Sequence, residues 1–172
     1  YELKKQYLDD EKLIEDCEKI CKEHKEVLKY YLNNYEVIKQ SATIEPTKFG
    51  NGGSIINRGY YCPSPTFDMT CSNVRRGRLS DKPTNETIYK YRFDSSNRLV
   101  CVEKNKEFTD MEYIWYKDNI QYGVLMESVN LKEKHISCVS MCYYDNKNRI
   151  SKYECSEMGP SNEELGYTVA NA

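Results

Sequence analysis

What this 172-residue chain lacks sets its first limits. It has no apolar run long enough to cross a bilayer, and its mean hydropathy of −0.81 points away from a membrane-spanning protein. Only 8 glycines and 5 prolines are present, and 16 tyrosines argue against disorder and low complexity. Neither sign of charge dominates. The 25 Lys+Arg against 27 Asp+Glu leave a formal charge of −2, with no global field for nucleic acid or anionic lipid. HExxH, GxSxG, a phosphate loop ending in GK[ST] and any CxxC pair are all missing. The length fits one domain, with enough chain to build a core without a metal or disulfides.

What is present begins with 8 cysteines, at positions 17, 21, 62, 71, 101, 138, 142 and 155. An even count fits four bridges in a secreted protein. The opening YELKKQYLDDEK, however, is charged and lacks the apolar centre of a signal peptide. Several cysteines also fall on predicted core faces, where a small apolar side chain suits. The expectation is reduced thiols in a cytoplasm, with Cys62–Cys71 the first pair to consider if the chain is oxidised. The chain starts without Met, which leaves open a segment before Tyr1. Asn85-Glu86-Thr87 has the form of a glycosylation sequon.

Ile14, Cys17, Cys21, His24, Leu28, Tyr31, Tyr35 and Ile38 step by three and four, predicting an amphipathic helix over 9–38. Asp9 or Asp10 is placed to cap it, and Asn33-Asn34 is placed to end it early. Residues 41–87 are divided by glycine and proline into turns and short extended pieces, with strands expected at Ile55–Cys62 and Val74–Ser80. From Thr87 a pattern repeats. Tyr91-Arg92-Phe93-Asp94-Ser95-Ser96-Asn97-Arg98-Leu99 returns as Cys142-Tyr143-Tyr144-Asp145-Asn146-Lys147-Asn148-Arg149-Ile150. Asp at the start bonds the turn's own amides, and Asn accepts the left-handed conformation before the return strand. A shorter hairpin with Asp118-Asn119 at its tip lies between the copies. Three hairpins in series predict a meander of about six strands over 88–156, followed by a tail, 157–172.

Simple pairing across these turns puts Tyr89, Tyr91, Phe93, Leu99 and Cys101 on one face, for the helix to cover. It puts Ile136, Cys138, Cys142, Tyr144 and Ile150 on the core side of the third hairpin. The opposite face, His135, Val139, Met141, Tyr143, Ser151, Tyr153 and Cys155, is unusually apolar and needs a cover from residues 41–87 or a partner. The expected fold class is thus α+β, a long N-terminal amphipathic helix packed on an antiparallel β-meander sheet.

Cys17-x₃-Cys21-x₂-His24 shares a helix face and suits zinc, but its members sit in a core stripe, so no metal and no cofactor is expected. His135 and Cys138 are an odd number apart on a strand and point to opposite faces. Asp94 and Asp145 are explained by turn capping. The basic stretch 72–98, with Arg75, Arg76, Arg78, Lys82, Lys90, Arg92 and Arg98, lacks any nucleic-acid motif and is read as a solvated face or a surface for an acidic protein.

Tyr143-Tyr144-Asp145-x-x-Asn148-Arg149-Ile150 and its partner at Asp94–Leu99 resemble the YD-type hairpin repeats of bacterial Rhs and wall-associated proteins. Those carry Gly where this chain has Asn97 and Asn148, and they run in many copies. In size, composition and hairpin style the chain resembles the immunity proteins of polymorphic or contact-dependent toxin systems. The resemblance implies a non-enzymatic, cytoplasmic protein that binds a cognate toxin domain as a monomer in a heterodimer and occludes its active site, without nucleic acid or membrane. Aromatic and arginine side chains suit such contacts, and the candidates are Arg92, Trp115, Met141, Tyr143 and Tyr153. Two other classes stand beside it: a secreted disulfide-stabilised adhesion or surface module, and an enzyme whose pocket assembles from scattered residues.

Overall fold

A computed structural model describes residues 11–43, 47–51, 60, 76–85, 87–104, 110–130, 133–158 and 165–171. The stripe of threes and fours forms α1, Glu11–Asn33, which buries Ile20, His24, Val27 and Tyr31. Asn34 ends it. Its backbone N–H reaches the carbonyls of Tyr30 and Tyr31 at 3.0 and 3.1 Å, and its side-chain amide donates to the Tyr30 carbonyl at 2.8 Å. These bonds satisfy carbonyls that a helix's last turn leaves open, and the chain restarts as α2, Tyr35–Ser41. The expected caps, Asp9 and Asp10, lie outside the described residues.

Among the described residues nine strands follow: β1 (Thr47–Asn51), β2 (Arg78–Ser80), β3 (Thr87–Phe93), β4 (Leu99–Lys104), β5 (Met111–Lys117), β6 (Ile120–Asn130), β7 (Glu133–Tyr144), β8 (Ile150–Met158) and β9 (Leu165–Asn171). They make one antiparallel sheet in the order β2-β1-β3-β4-β5-β6-β7-β8-β9. The fold is α+β, a helix layer on a meander, and β3–β4, β5–β6 and β7–β8 are the three expected hairpins. The turn-rich stretch adds β1 and β2 at one edge. Of the strands expected there, Val74–Ser80 is met at its end by β2. Ile55–Cys62 lies outside the described residues apart from Tyr60, which stands in a turn. Residues 157–172 are not only a tail: they finish β8 and supply β9, paired with β8 from Lys152↔Asn171 to Met158↔Leu165.

The repeated turns are built alike. In the first, the Asp94 carboxylate accepts from the amides of Ser96 and Arg98 at 2.9 and 2.8 Å. In the second, Asp145 accepts from Lys147 and Arg149 at 2.8 and 2.9 Å. Each Asp also holds the guanidinium of the closing arginine, Arg98 or Arg149, at 2.9 and 2.7 Å. Asn97 and Asn148 both have φ of 59°, the left-handed conformation their side chains tolerate. Asn148→Val is therefore expected to lower stability by about 1–2 kcal/mol, whereas Asn148→Gly leaves it unchanged or slightly higher. Urea titration of the two variants against the parent checks this, and equal losses in both would remove the conformational explanation.

A bulge accompanies each of these turns and corrects the expected faces. Phe93 faces Leu99 as simple pairing requires, but Arg92 then faces Cys101 and Tyr91 faces Val102. Likewise Tyr144 faces Ile150, while Tyr143 faces Lys152 and Cys142 faces Tyr153. Side chains alternate with period two, so one extra residue sends every later one to the opposite face. Cys101 joins the face of Arg92, and Tyr153 and Cys155 leave the face of Met141 and Tyr143. The helices accordingly cover the face expected to need another cover: Val27, Tyr31, Ile38 and Ala42 pack on Cys101, Tyr113, Val124, Val139 and Met141. The other face carries Tyr89, Tyr91, Leu99, Val102 and Ile114 beside Cys138, Cys142, Tyr153 and Cys155. Tyr60, from the turn-rich stretch, stands edge-on to Tyr91 with centroids 6.0 Å apart, and its amide donates to the Tyr91 hydroxyl at 2.9 Å. Among the described residues no helix is long and apolar enough to cross a membrane.

Candidate partner interface

Strand register brings three of the five candidate residues together. Trp115 faces Tyr122, Tyr122 faces Met141, and Met141 faces Glu154, so these four form one rung on the helix side. The next rung toward the hairpin tips runs Lys117, Ile120, Tyr143, Lys152. Met141 is buried beneath the aromatics, which are themselves half-buried. Trp115 stacks on Tyr122 with centroids 5.6 Å apart and planes at 10°. From α1, Tyr30 lies 5.8 Å from Trp115 and Tyr31 stacks on it at 6.1 Å and 17°. Tyr31 is buried, but Tyr30 remains 52% exposed. The result is a row of aromatic rings in contact that runs from Tyr30 and Tyr31 on α1 through Trp115 on β5 to Tyr122 on β6.

Charge frames this row. Lys152 pairs with the Glu154 carboxylate, and its Nζ lies 5.1 Å from the centroid of the Tyr143 ring. The Tyr143 hydroxyl donates to Glu154 Oε2 at 2.8 Å. Burial, the bond to Glu154 and its negative charge all push the Tyr143 phenol upward, so it stays a neutral donor. Lys117 and Asp118 are exposed at the tip of the β5–β6 hairpin.

The other two candidates lie elsewhere. Arg92 is on the same sheet face but beneath the end of α2, where one guanidinium nitrogen bonds Glu103 at 2.7 Å and another reaches the Ala42 carbonyl at 3.4 Å. A cation there complements the helix's C-terminal dipole, so Arg92 ties β3 and β4 to α2. Tyr153 is 5% exposed on the opposite face, against Cys138, Cys142 and Cys155. Sequence reasoning missed Tyr122 and Tyr30. Tyr122 was legible, because a two-residue turn at Asp118-Asn119 that pairs Lys117 with Ile120 must pair Trp115 with Tyr122. Tyr30 lies off the apolar stripe, and nothing local distinguishes it from a solvent-facing residue.

A second arrangement joins residues far apart in the chain. His24 Nδ1 hydrogen-bonds Ser156 Oγ, and its Nε2 lies 4.0 Å from Glu154 Oε2. A proton on Nε2, pointing toward that carboxylate, leaves Nδ1 to accept from the Ser156 hydroxyl. Serine, histidine and glutamate together are a nucleophile, base and orienting acid. Here Ser156 and Glu154 are 0% exposed and His24 is 1%, so no reacting atom is open to solvent. The group works as a polar seam where α1 docks on β8. Desolvation lowers the His24 pKa to about 4, with Glu154 opposing that shift and Lys152 adding to it.

Cys17 and Cys21 are half-buried on α1 beside His24. Among the described residues no three His, Cys, Asp or Glu side chains converge as a metal site. Cys62 and Cys71 lie outside the described residues. No protein-family model, curated protein or solved structure matches the chain.

Proposed function

We propose that the chain is a non-enzymatic protein-binding module, an immunity protein that neutralises a cognate toxin domain in the cytoplasm by covering its active site. The observation that supports this reading is the aromatic row Tyr30–Trp115–Tyr122–Tyr143 on the helix side of the sheet. Its rings are held by stacking, by Met141 beneath and by the Tyr143–Glu154 bond, so little side-chain freedom remains to be lost on binding. Large rigid aromatics beside Lys117 and Lys152 combine an apolar centre with a charged margin, the anatomy of a protein interface. Arg92 and Tyr153 support this surface from within the sheet rather than by contact.

The test is co-expression with the open reading frame immediately upstream, scoring growth rescue and co-purification of a one-to-one complex. Tyr30→Ala and Tyr122→Ala are each expected to weaken binding by about tenfold or more, while leaving the chain folded by circular dichroism. A harmless neighbour with nothing co-purifying would sink the toxin reading. A complex indifferent to both substitutions would move the contact to another surface.

A further inference from the structure

On β7, Cys138 and Cys142 flank Ser140 by two residues on either side, and Ser140 faces Cys155 on β8. All three cysteines therefore share one sheet face, and both Cys138 and Cys142 are diagonal neighbours of Cys155. The twist of an antiparallel pair closes one diagonal and opens the other. The closed one belongs to Cys138, whose Sγ lies 2.7 Å from that of Cys155. Ordinary non-bonded contact between carbons, which are smaller than sulfur, is about 3.5–4.0 Å. An S–S bond is about 2.0 Å, so the remaining gap is only about 0.7 Å.

We propose that Cys138 and Cys155 are a redox-modification site that closes into a disulfide between β7 and β8. Cys138 and Cys155 are 9% and 8% exposed, against 1% for both Cys101 and Cys142. Burial also pushes the Cys101 thiol up to about 12 and the Cys142 thiol up to about 11, which keeps those two protonated and unreactive. The co-reactant is a small-molecule disulfide. One cysteine loses its proton and its thiolate attacks a sulfur of that disulfide, breaking the S–S bond and expelling one thiolate. The second cysteine, deprotonated in turn, attacks the mixed disulfide, forms the Sγ–Sγ bond and expels the other thiolate. The two protons end on the released thiols, and two electrons pass from the protein to the oxidant. The new bond spans the Asp145–Arg149 turn and locks β8, and with it the edge strand β9, to the centre of the sheet.

The experiment incubates the full-length chain with oxidised glutathione, quenches in acid, alkylates in denaturant and maps tryptic peptides by fragmentation mass spectrometry, which tells Cys138 from Cys142 inside the peptide 135–147 that holds both. Lys147, Arg149 and Lys152 lie between the two cysteines, so trypsin separates the halves of the bridge. The expected product joins Cys138 to Cys155, and the thermal midpoint rises by about 5–10 °C, reversibly with dithiothreitol. Cys142→Ser should leave the bridge in place and Cys138→Ser should remove it. The first readout uses the unaltered chain, so it does not depend on how variants fold. Three results overturn the proposal: Cys138 and Cys155 both alkylated after oxidation, Cys155 joined to Cys142, or glutathione retained on either cysteine without a bridge.

Discussion

Tyr31→Ala is expected to remove about 3–5 kcal/mol of stability, enough to lower the thermal midpoint by roughly 10 °C in a chain of this length. Tyr31 is 1% exposed and joins both helices to the sheet. Its ring packs edge-on against Tyr35 at 5.7 Å, tilted against Tyr113 at 6.1 Å and stacked on Trp115 at 6.1 Å. Truncation opens a cavity that β-strands on one side and a helix on the other cannot easily close. Tyr31→Phe keeps the ring and gives up only the hydroxyl bond to Met126 Sδ at 3.4 Å, which should cost less than about 1 kcal/mol. Leu32→Ala, at the neighbouring residue exposed to 59%, should fall within about 0.5 kcal/mol of the parent. Chemical denaturation of the three variants separates ring from hydroxyl and from helix propensity. Similar losses at 31 and 32 would mean that α1 is not docked as described.

Acid is expected to weaken the fold well above the carboxylate range. His24 is buried between α1 and the sheet, where Glu154 and Lys152 from β8 and Tyr143 from β7 are the ionisable groups around it. Its pKa of about 4 stands below the ordinary 6.5, because desolvation disfavours the imidazolium. The unfolded chain therefore binds more protons between those two values. Stability is complete above pH 6.5 and declines as pH falls toward 4, by about 3 kcal/mol in all. His24→Gln, which retains a polar group against Ser156, should flatten that part of the profile. Asp94 and Asp145 act in a different window. Asp94 is slightly desolvated, but bonds from Arg98 and Ser96 outweigh that and lower its pKa. Asp145 is lowered by its bonds from Arg149 and Lys147. Their contributions are present above the ordinary 3.8 and are lost below it. The difference in unfolding free energy between parent and His24→Gln from pH 7 to 5 isolates the histidine, because carboxylates titrate mostly below that range, and identical slopes in the two would refute its part.

The candidate interface was half legible. Composition and alternation point to Trp115, Met141 and Tyr143, and register places them on one face. Tyr122 follows from the two-residue turn, whereas Tyr30 reaches the row only because α1 lies over β6, β7 and β8. Tyr153 shows the limit of pattern reading. One bulged residue, Ser151 between Ile150 and Lys152 on β8, puts it on the far side of the sheet, and an alternating sequence looks the same with or without that residue. The His24–Ser156 seam joins positions whose proximity no local pattern encodes.

By itself the sequence determined what local chemistry can determine. Three-and-four spacing made α1, Asn34 stopped it, and Asp with a left-handed Asn made two hairpin turns that match in their Asp-to-amide bonds and in φ. Those outcomes need only bonds between near neighbours and one apolar stripe. Tertiary structure decided which face of the sheet the helices cover, that residues beyond 157 complete β8 and add β9, and that Arg92 secures a helix end. Each of these depends on a pairing across the sheet or on contact between layers. A one-residue shift there costs little locally but exchanges the faces throughout a strand, so the choice belongs to the packing of the whole sheet.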